Sequence, residues 1–185
     1  MKQIYDENIG YRICYPLVKW MFRKSYSHIK YVGRENIPTD GDVIFAPKHT
    51  NALQDALAVL CIDNEHKVFV ARADIFRNKI IAKILNWLKI MPIRRMRDGA
   101  GEVLKNDETV NSAIATLRSG VPFCILPEGT HRAKHSLLPL RKGIFRISLR
   151  ANEEFGKEKP IYIVPVGLEY GDWFNLWDNL VVNVG

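Results

Sequence analysis

Residues 43–62, VIFAPKHTNALQDALAVLCI, change hydrophobic period within a few positions, and that change decides the fold. VIFAP is a short apolar run of strand length, while NALQDALAVLCI carries apolar residues at helical spacing, with Asn51 as a candidate N-cap. Between them stands KHT. His49 is either a catalytic base held by Asp55 or a residue at an ordinary helix start. Positions i and i+6 do not share a face of a regular helix, so the two side chains meet only if the chain turns between them.

The same strand-then-helix text repeats along the chain. KVFVAR (67–72) reads as a second strand and residues 74–89 as a helix, with Ile80, Ile81, Ile84, Leu85 and Leu88 on one stripe. KIMPIRR reads as a short strand. NDETVNSAIATLRSG reads as a helix that Asp107 can cap and Gly120 can end. VPFCILP (121–127), the helix GIFRISLRANEE and the strand PIYIVPVGLEY (160–170) follow. This alternation predicts an α/β sandwich with a central, largely parallel or mixed sheet flanked by helices.

Residues 9–31 mix aromatic, aliphatic and basic side chains, among them Trp20, Arg12, Lys19, Arg23 and Lys24. The segment reads either as an amphipathic helix at a lipid headgroup boundary or as one packed on its own domain. The expected organisation is therefore an N-terminal amphipathic, membrane-associating segment at 1–35 and a single domain at 36–185. Because LVVNVG ends inside a strand-like run, that domain is expected to be truncated at its C-terminus.

Composition narrows the partners. The net charge of +7 is uneven: residues 67–97 hold nine Lys/Arg against one acid, Asp74, which predicts an anionic partner. No nucleic-acid-binding motif accompanies the charge, so nucleic acid is not expected. Cys14, Cys61 and Cys124 are odd in number and widely spaced, which argues for a reducing compartment. No apolar run reaches spanning length and no secretory leader is visible, so if the protein meets a membrane it is expected to lie on the surface.

In α/β sheets, ligands sit beyond the carboxyl ends of strands. Three polar groups fall there: His49, the pair Arg94 and Arg95, and the turn Glu128–Gly129–Thr130–His131–Arg132. That turn combines an acid, a glycine, a hydroxyl and a guanidinium, which suits phosphate. Its plainer reading is a strand-to-helix turn with Glu128 as a cap and Thr130 in a local turn. His131 and His135 raise a metal site, but no second ligand motif supports one and no metal is expected.

KHTNALQDAL, MPIRR, LPEGTHR and IVPVGL, in this order, resemble the four blocks of the glycerolipid acyltransferase family, the family of 1-acyl-sn-glycerol-3-phosphate acyltransferases, over about residues 40–170. The resemblance implies transfer of an acyl group from a thioester, acyl-coenzyme A or acyl carrier protein, to a hydroxyl of a lysophospholipid or glycerol phosphate, with no other cofactor. It implies His49 as general base and Asp55 as the group that orients its ring. It also implies Arg94, Arg95, Glu128, Gly129, Thr130 and Arg132 around the acceptor's phosphate, and Pro165 near the acyl or acceptor site. Anionic membrane lipids, lysophosphatidic acid and the acyl carrier follow as partners, at the cytoplasmic face of a membrane. Two departures stand out: five residues instead of four separate His49 from Asp55, and His131 intervenes between Thr130 and Arg132. The rival expectation is a lipid-surface binding protein of the same fold that has lost the chemistry.

Overall fold

The computed structural model describes residues 3–6, 8–93, 102–130, 132–133, 136–173 and 175–185. Seven strands form one mixed sheet: β1 (His28–Val32), β2 (Asp42–Pro47), β3 (Val68–Arg72), β4 (Ile90–Ile93), β5 (Phe123–Cys124), β6 (Ile161–Tyr170) and β7 (Asn179–Val184), in the order β1-β7-β6-β2-β5-β3-β4. All neighbours are parallel except β6 and β7. Among the described residues five α-helices accompany it: α1 (Ile9–Lys24), α2 (Ala52–Leu60), α3 (Lys79–Trp87), α4 (Glu102–Arg118) and α5 (Gly143–Phe155).

β2 is central and, from Val43 to Pro47, apolar because both its faces are covered; Asp42 at its start is buried against Lys159. Val43 and Phe45 join α2's Ala58, Val59 and Leu60 in one core, with Val164, Val166 and Leu168 of β6. Ile44 points the other way, into a core shared with Ile114 and Leu117 of α4 and Ile144 and Ile147 of α5. The chain leaving β2 thus turns to one face, and the chain leaving β5 turns to the other. β2 and β5 are neighbours, so their outgoing loops part and leave a crevice at the carboxyl edge of the sheet.

Several elements differ from the sequence reading. The amphipathic segment ends as a helix at Lys24, and its last part, HIKYV, is β1, paired with β7 from the far end of the chain. The helix expected over 74–89 is divided: residues Ala73–Arg77 form a 3-10 turn, and Asn78 restarts the chain by accepting from the N–H groups of Ile80 and Ile81. Asp107 lies within α4 instead of capping it, and its carboxylate receives Arg146 of α5. β5 is limited to two residues, between Pro122, which cannot donate to a ladder, and the turn that begins at Pro127.

Helix α1 packs inward through Tyr11, Val18 and Phe22 and takes the charged Lys19 in with them. Lys19 is buried and donates to the Asp63 carbonyl (2.5 Å) and to Asn64 Oδ1 (2.9 Å), while the Tyr15 hydroxyl donates to the Leu60 carbonyl (3.1 Å). Facing outward are Ile9, Ile13, Leu17, Trp20 and Met21, the first two 79% and 71% exposed. The outward face continues onto α3, where Ile80, Ile84 and Trp87 are exposed. The Trp87 ring packs edge-on against Tyr11, with centroids 6.4 Å apart. Among the described residues, no helix is long and apolar enough to cross a membrane.

Candidate active site

His49 follows β2 directly. Its position is secured from three sides: the Lys48 N–H donates to the Val166 carbonyl (2.9 Å), the His49 N–H to Glu128 Oε1 (2.9 Å), and the Arg132 N–H to the His49 carbonyl (3.3 Å). β6, the loop after β5 and the residue between them are thereby tied together at the mouth of the crevice.

The turn after His49 absorbs the extra residue ahead of the helix. Thr50 is buried, Asn51 is not helical (φ −134°, ψ 53°), and Ala52 opens α2 at φ +40°. A left-handed alanine is strained by about 1–2 kcal/mol, and that strain brings Asp55, in the first turn of α2, back over His49. His49 Nδ1 and Asp55 Oδ2 are 2.9 Å apart. Asn51 stands at the N-cap position, but its side chain caps nothing there. It donates to the Trp173 carbonyl (2.9 Å), and Asp55 Oδ2 takes the Asn51 N–H (2.8 Å).

Asp55 is 0% exposed and its carboxylate is surrounded by donors: His49 and the Asn51 N–H at Oδ2, and the Tyr170 hydroxyl (2.7 Å) and Thr50 Oγ1 (3.5 Å) at Oδ1. A buried carboxylate needs such partners, because an unpaired one is costly to desolvate. Since Asp55 accepts from each, the ring hydrogen of His49 belongs on Nδ1, and Nε2 is left as the basic nitrogen. His49 itself is partly buried, 15% exposed.

Glu128 is 1% exposed, and both its oxygens serve backbone donors: Oε1 the His49 N–H, Oε2 the Leu138 N–H (3.1 Å). Its carboxylate is turned toward these peptides. Gly129 has φ +65°, and a Cβ there would lie 3.3 Å from Arg141 Cγ, so glycine allows Arg141 to pass close by. Arg141 is held at this place by its N–H, which donates to the Pro127 carbonyl (2.7 Å). Glu128, Thr130, Arg132, Leu138, Pro139 and Arg141 line an open pocket beside His49.

The structure thus brings His49, Asp55, Glu128, Gly129, Thr130 and Arg132 to one end of the sheet. Pro165 is exposed on β6 opposite Ala46, on the face turned away from Asp55. Arg94, Arg95, His131 and His135 lie outside the described residues. Sequence reasoning missed two members. Arg141 is one of several basic residues that follow Arg132, and nothing in their order marks which of them lines the pocket. Tyr170 was legible as an inward residue of β6, in phase with Val166 and Leu168, but its approach to Asp55 depends on a contact across 115 residues.

Comparisons with known proteins bear on the family and the fold. The family profile described as Acyltransferase matches residues 28–169. A chloroplastic 1-acyl-sn-glycerol-3-phosphate acyltransferase of Brassica napus is 25% identical over 119 residues, 64% of this chain and 33% of that protein, so the chain spans about a third of that relative's length. The crystal structure of the 1-acyl-sn-glycerophosphate acyltransferase PlsC from Thermotoga maritima superimposes with a TM-score of 0.62 at 18% identity, over 95% of this chain and 67% of that one, a likeness of fold.

Proposed function

The chain belongs to the acyltransferase family, and from that premise we propose that it is an O-acyltransferase of glycerolipid synthesis. It moves a fatty acyl group from acyl-coenzyme A or acyl carrier protein to the free hydroxyl of a phosphate-bearing lysolipid, lysophosphatidic acid being the model acceptor. The 2.9 Å contact between His49 Nδ1 and Asp55 Oδ2 carries the reading.

His49 Nε2 takes the acceptor's hydroxyl proton as that oxygen bonds to the thioester carbonyl carbon. The tetrahedral intermediate collapses with cleavage of the C–S bond, and the imidazolium returns its proton to the departing sulfur. An ester and a free thiol result, with His49 neutral again. Asp55 keeps the ring in the required tautomer and stabilises the imidazolium, as the acid of a serine-protease triad does, without a protein nucleophile.

The Thr130 hydroxyl and the guanidinium groups of Arg132 and Arg141 bind the acceptor's phosphate at the rim of the pocket they line. Arg94 and Arg95 remain expected contributors, and Pro165 an expected neighbour of the substrate. Glu128 acts by holding the His49 peptide to the loop that carries these residues, and Gly129 by admitting Arg141.

The acceptor is reached at a membrane surface. The outward apolar faces of α1 and α3, bordered by the exposed Arg12, Arg23, Lys24, Lys79 and Lys83, fit an anionic leaflet at its cytoplasmic side, with the protein peripheral. A helix that buries Lys19 and exposes Ile9 and Ile13 supports this assignment, because packing on its own domain alone favours the reverse.

The test is turnover: purified protein, acyl-coenzyme A, and lysophosphatidic acid in anionic vesicles, with free thiol and phosphatidic acid measured together. Equal amounts of both are expected. No thiol release with any donor or acceptor, alongside retained vesicle binding, would establish the catalytically inactive lipid-surface binder instead.

A further inference from the structure

The transfer reaction as derived uses one oxygen of Asp55. Its other oxygen, Oδ1, faces away from His49 and receives the Tyr170 hydroxyl at 2.7 Å. Tyr170 is the last residue of β6, opposite Leu180 of β7, and is 4% exposed. Its ring packs on Tyr26 with centroids 6.3 Å apart. Burial, and next the neighbouring Asp55 charge, push the Tyr170 hydroxyl far above the usual tyrosine range, so it remains a donor throughout the range in which thioesters are stable.

We propose that Tyr170 is a positioning residue for acyl transfer: by anchoring Asp55 Oδ1 it fixes the plane of the carboxylate and presents Oδ2 to His49 Nδ1. The proposal rests on the reading of His49 and Asp55 as the base dyad. A carboxylate rotates readily about its last side-chain bond, whose energy profile is broad. At Oδ2 both partners lie on one side of that axis, the His49 ring and the Asn51 N–H. At Oδ1 the other donor among the described residues is Thr50 Oγ1, at 3.5 Å the longest of the four. Tyr170 therefore supplies the short, charge-assisted contact that holds the second oxygen.

The bland alternative is a core tyrosine that merely finds an acceptor for its own hydroxyl. Tyr26 next to it fits that description, since its hydroxyl donates to the neutral Gln54 Oε1 at 3.3 Å. The two tyrosines thus form a matched pair, one on the dyad acid and one beside it.

The experiment compares Tyr170→Phe with Tyr26→Phe in the thioester turnover assay. Tyr170→Phe lowers kcat about 10- to 100-fold while KM for acyl donor and for acceptor stays within about twofold, and Tyr26→Phe leaves kcat within about twofold. An unchanged kcat in Tyr170→Phe, equal losses in the two variants, or KM changes as large as the kcat change overturn the proposal. Should Tyr170→Phe not fold, 4-fluorophenylalanine at position 170 fills the space of the hydroxyl without donating to Asp55. It must lower kcat at constant KM, and an unchanged kcat overturns the proposal. His49→Ala is the separate arm. If it keeps full activity, the dyad reading itself falls, whereas an inactive His49→Ala beside a fully active Tyr170→Phe removes Tyr170 alone.

Discussion

Replacing Asp55 by asparagine separates its role as acceptor from its role as a filler of space. The side chains are nearly isosteric, so the packing around α2 survives, but one oxygen becomes an NH₂. With the amide oxygen left on Tyr170, the NH₂ faces both the His49 ring and the Asn51 N–H, which now sit 2.9 and 2.8 Å from Oδ2. Donor then meets donor at Asn51, and a largely buried N–H without a partner costs about 1–3 kcal/mol. For a chain of this length each kcal/mol lowers Tm by about 2–4 °C, so Asp55→Asn should melt about 2–12 °C below the wild type. The larger consequence is at His49. An NH₂ beside Nδ1 favours the tautomer with its hydrogen on Nε2, which has no lone pair for the acceptor's proton. Loss of general-base help lowers kcat by about 10²- to 10⁴-fold. Free-thiol release from acyl-coenzyme A in the presence of lysophosphatidic acid reads the rate, and thermal melting followed by circular dichroism reads the stability. A variant that melts lower yet turns over within about threefold of the wild type would refute the tautomer argument.

Other consequences follow from the same geometry. Arg141→Gln should lower kcat/KM for lysophosphatidic acid by about 10- to 100-fold, mainly through KM, since a hydrogen bond between charged groups contributes about 1.5–3 kcal/mol. It should hardly affect any residual transfer to monoacylglycerol, which lacks the phosphate, and equal losses on the two acceptors would contradict a phosphate contact. The double change Ile13→Glu and Leu17→Glu should weaken co-sedimentation with anionic vesicles by at least about tenfold, because a buried aliphatic side chain contributes about 1.5–3 kcal/mol. Binding should also fall as salt rises, and undiminished binding by the double variant would remove α1 from the contact surface.

Most of the α/β layering was legible because period is a local property. β2 reads as a buried strand from its apolar run, and α2 from its stripe. The strand order was not legible, since β1 and β7 pair across 151 positions and nothing in HIKYV names its partner. At the site, the residues were visible but not their approach. The contact of His49 with Asp55 depends on Ala52 at φ +40°, a conformation that glycine or asparagine would announce and alanine conceals. Glu128 looked like part of a phosphate cradle by its neighbours in sequence. Only the fold reveals that its two oxygens receive the peptides of His49 and Leu138. Tyr170 lay in plain phase on β6, and its partner could be found only in three dimensions.

The most direct measurement of the central claim is acyl transfer by purified His49→Ala on lysophosphatidic acid vesicles. The side chain is partly buried and its backbone contacts to Glu128 and Arg132 do not involve the ring, so the variant should fold. Thiol release should fall by at least about 10²-fold, with vesicle binding unchanged. A folded His49→Ala that releases thiol and forms phosphatidic acid at the wild-type rate would contradict the account.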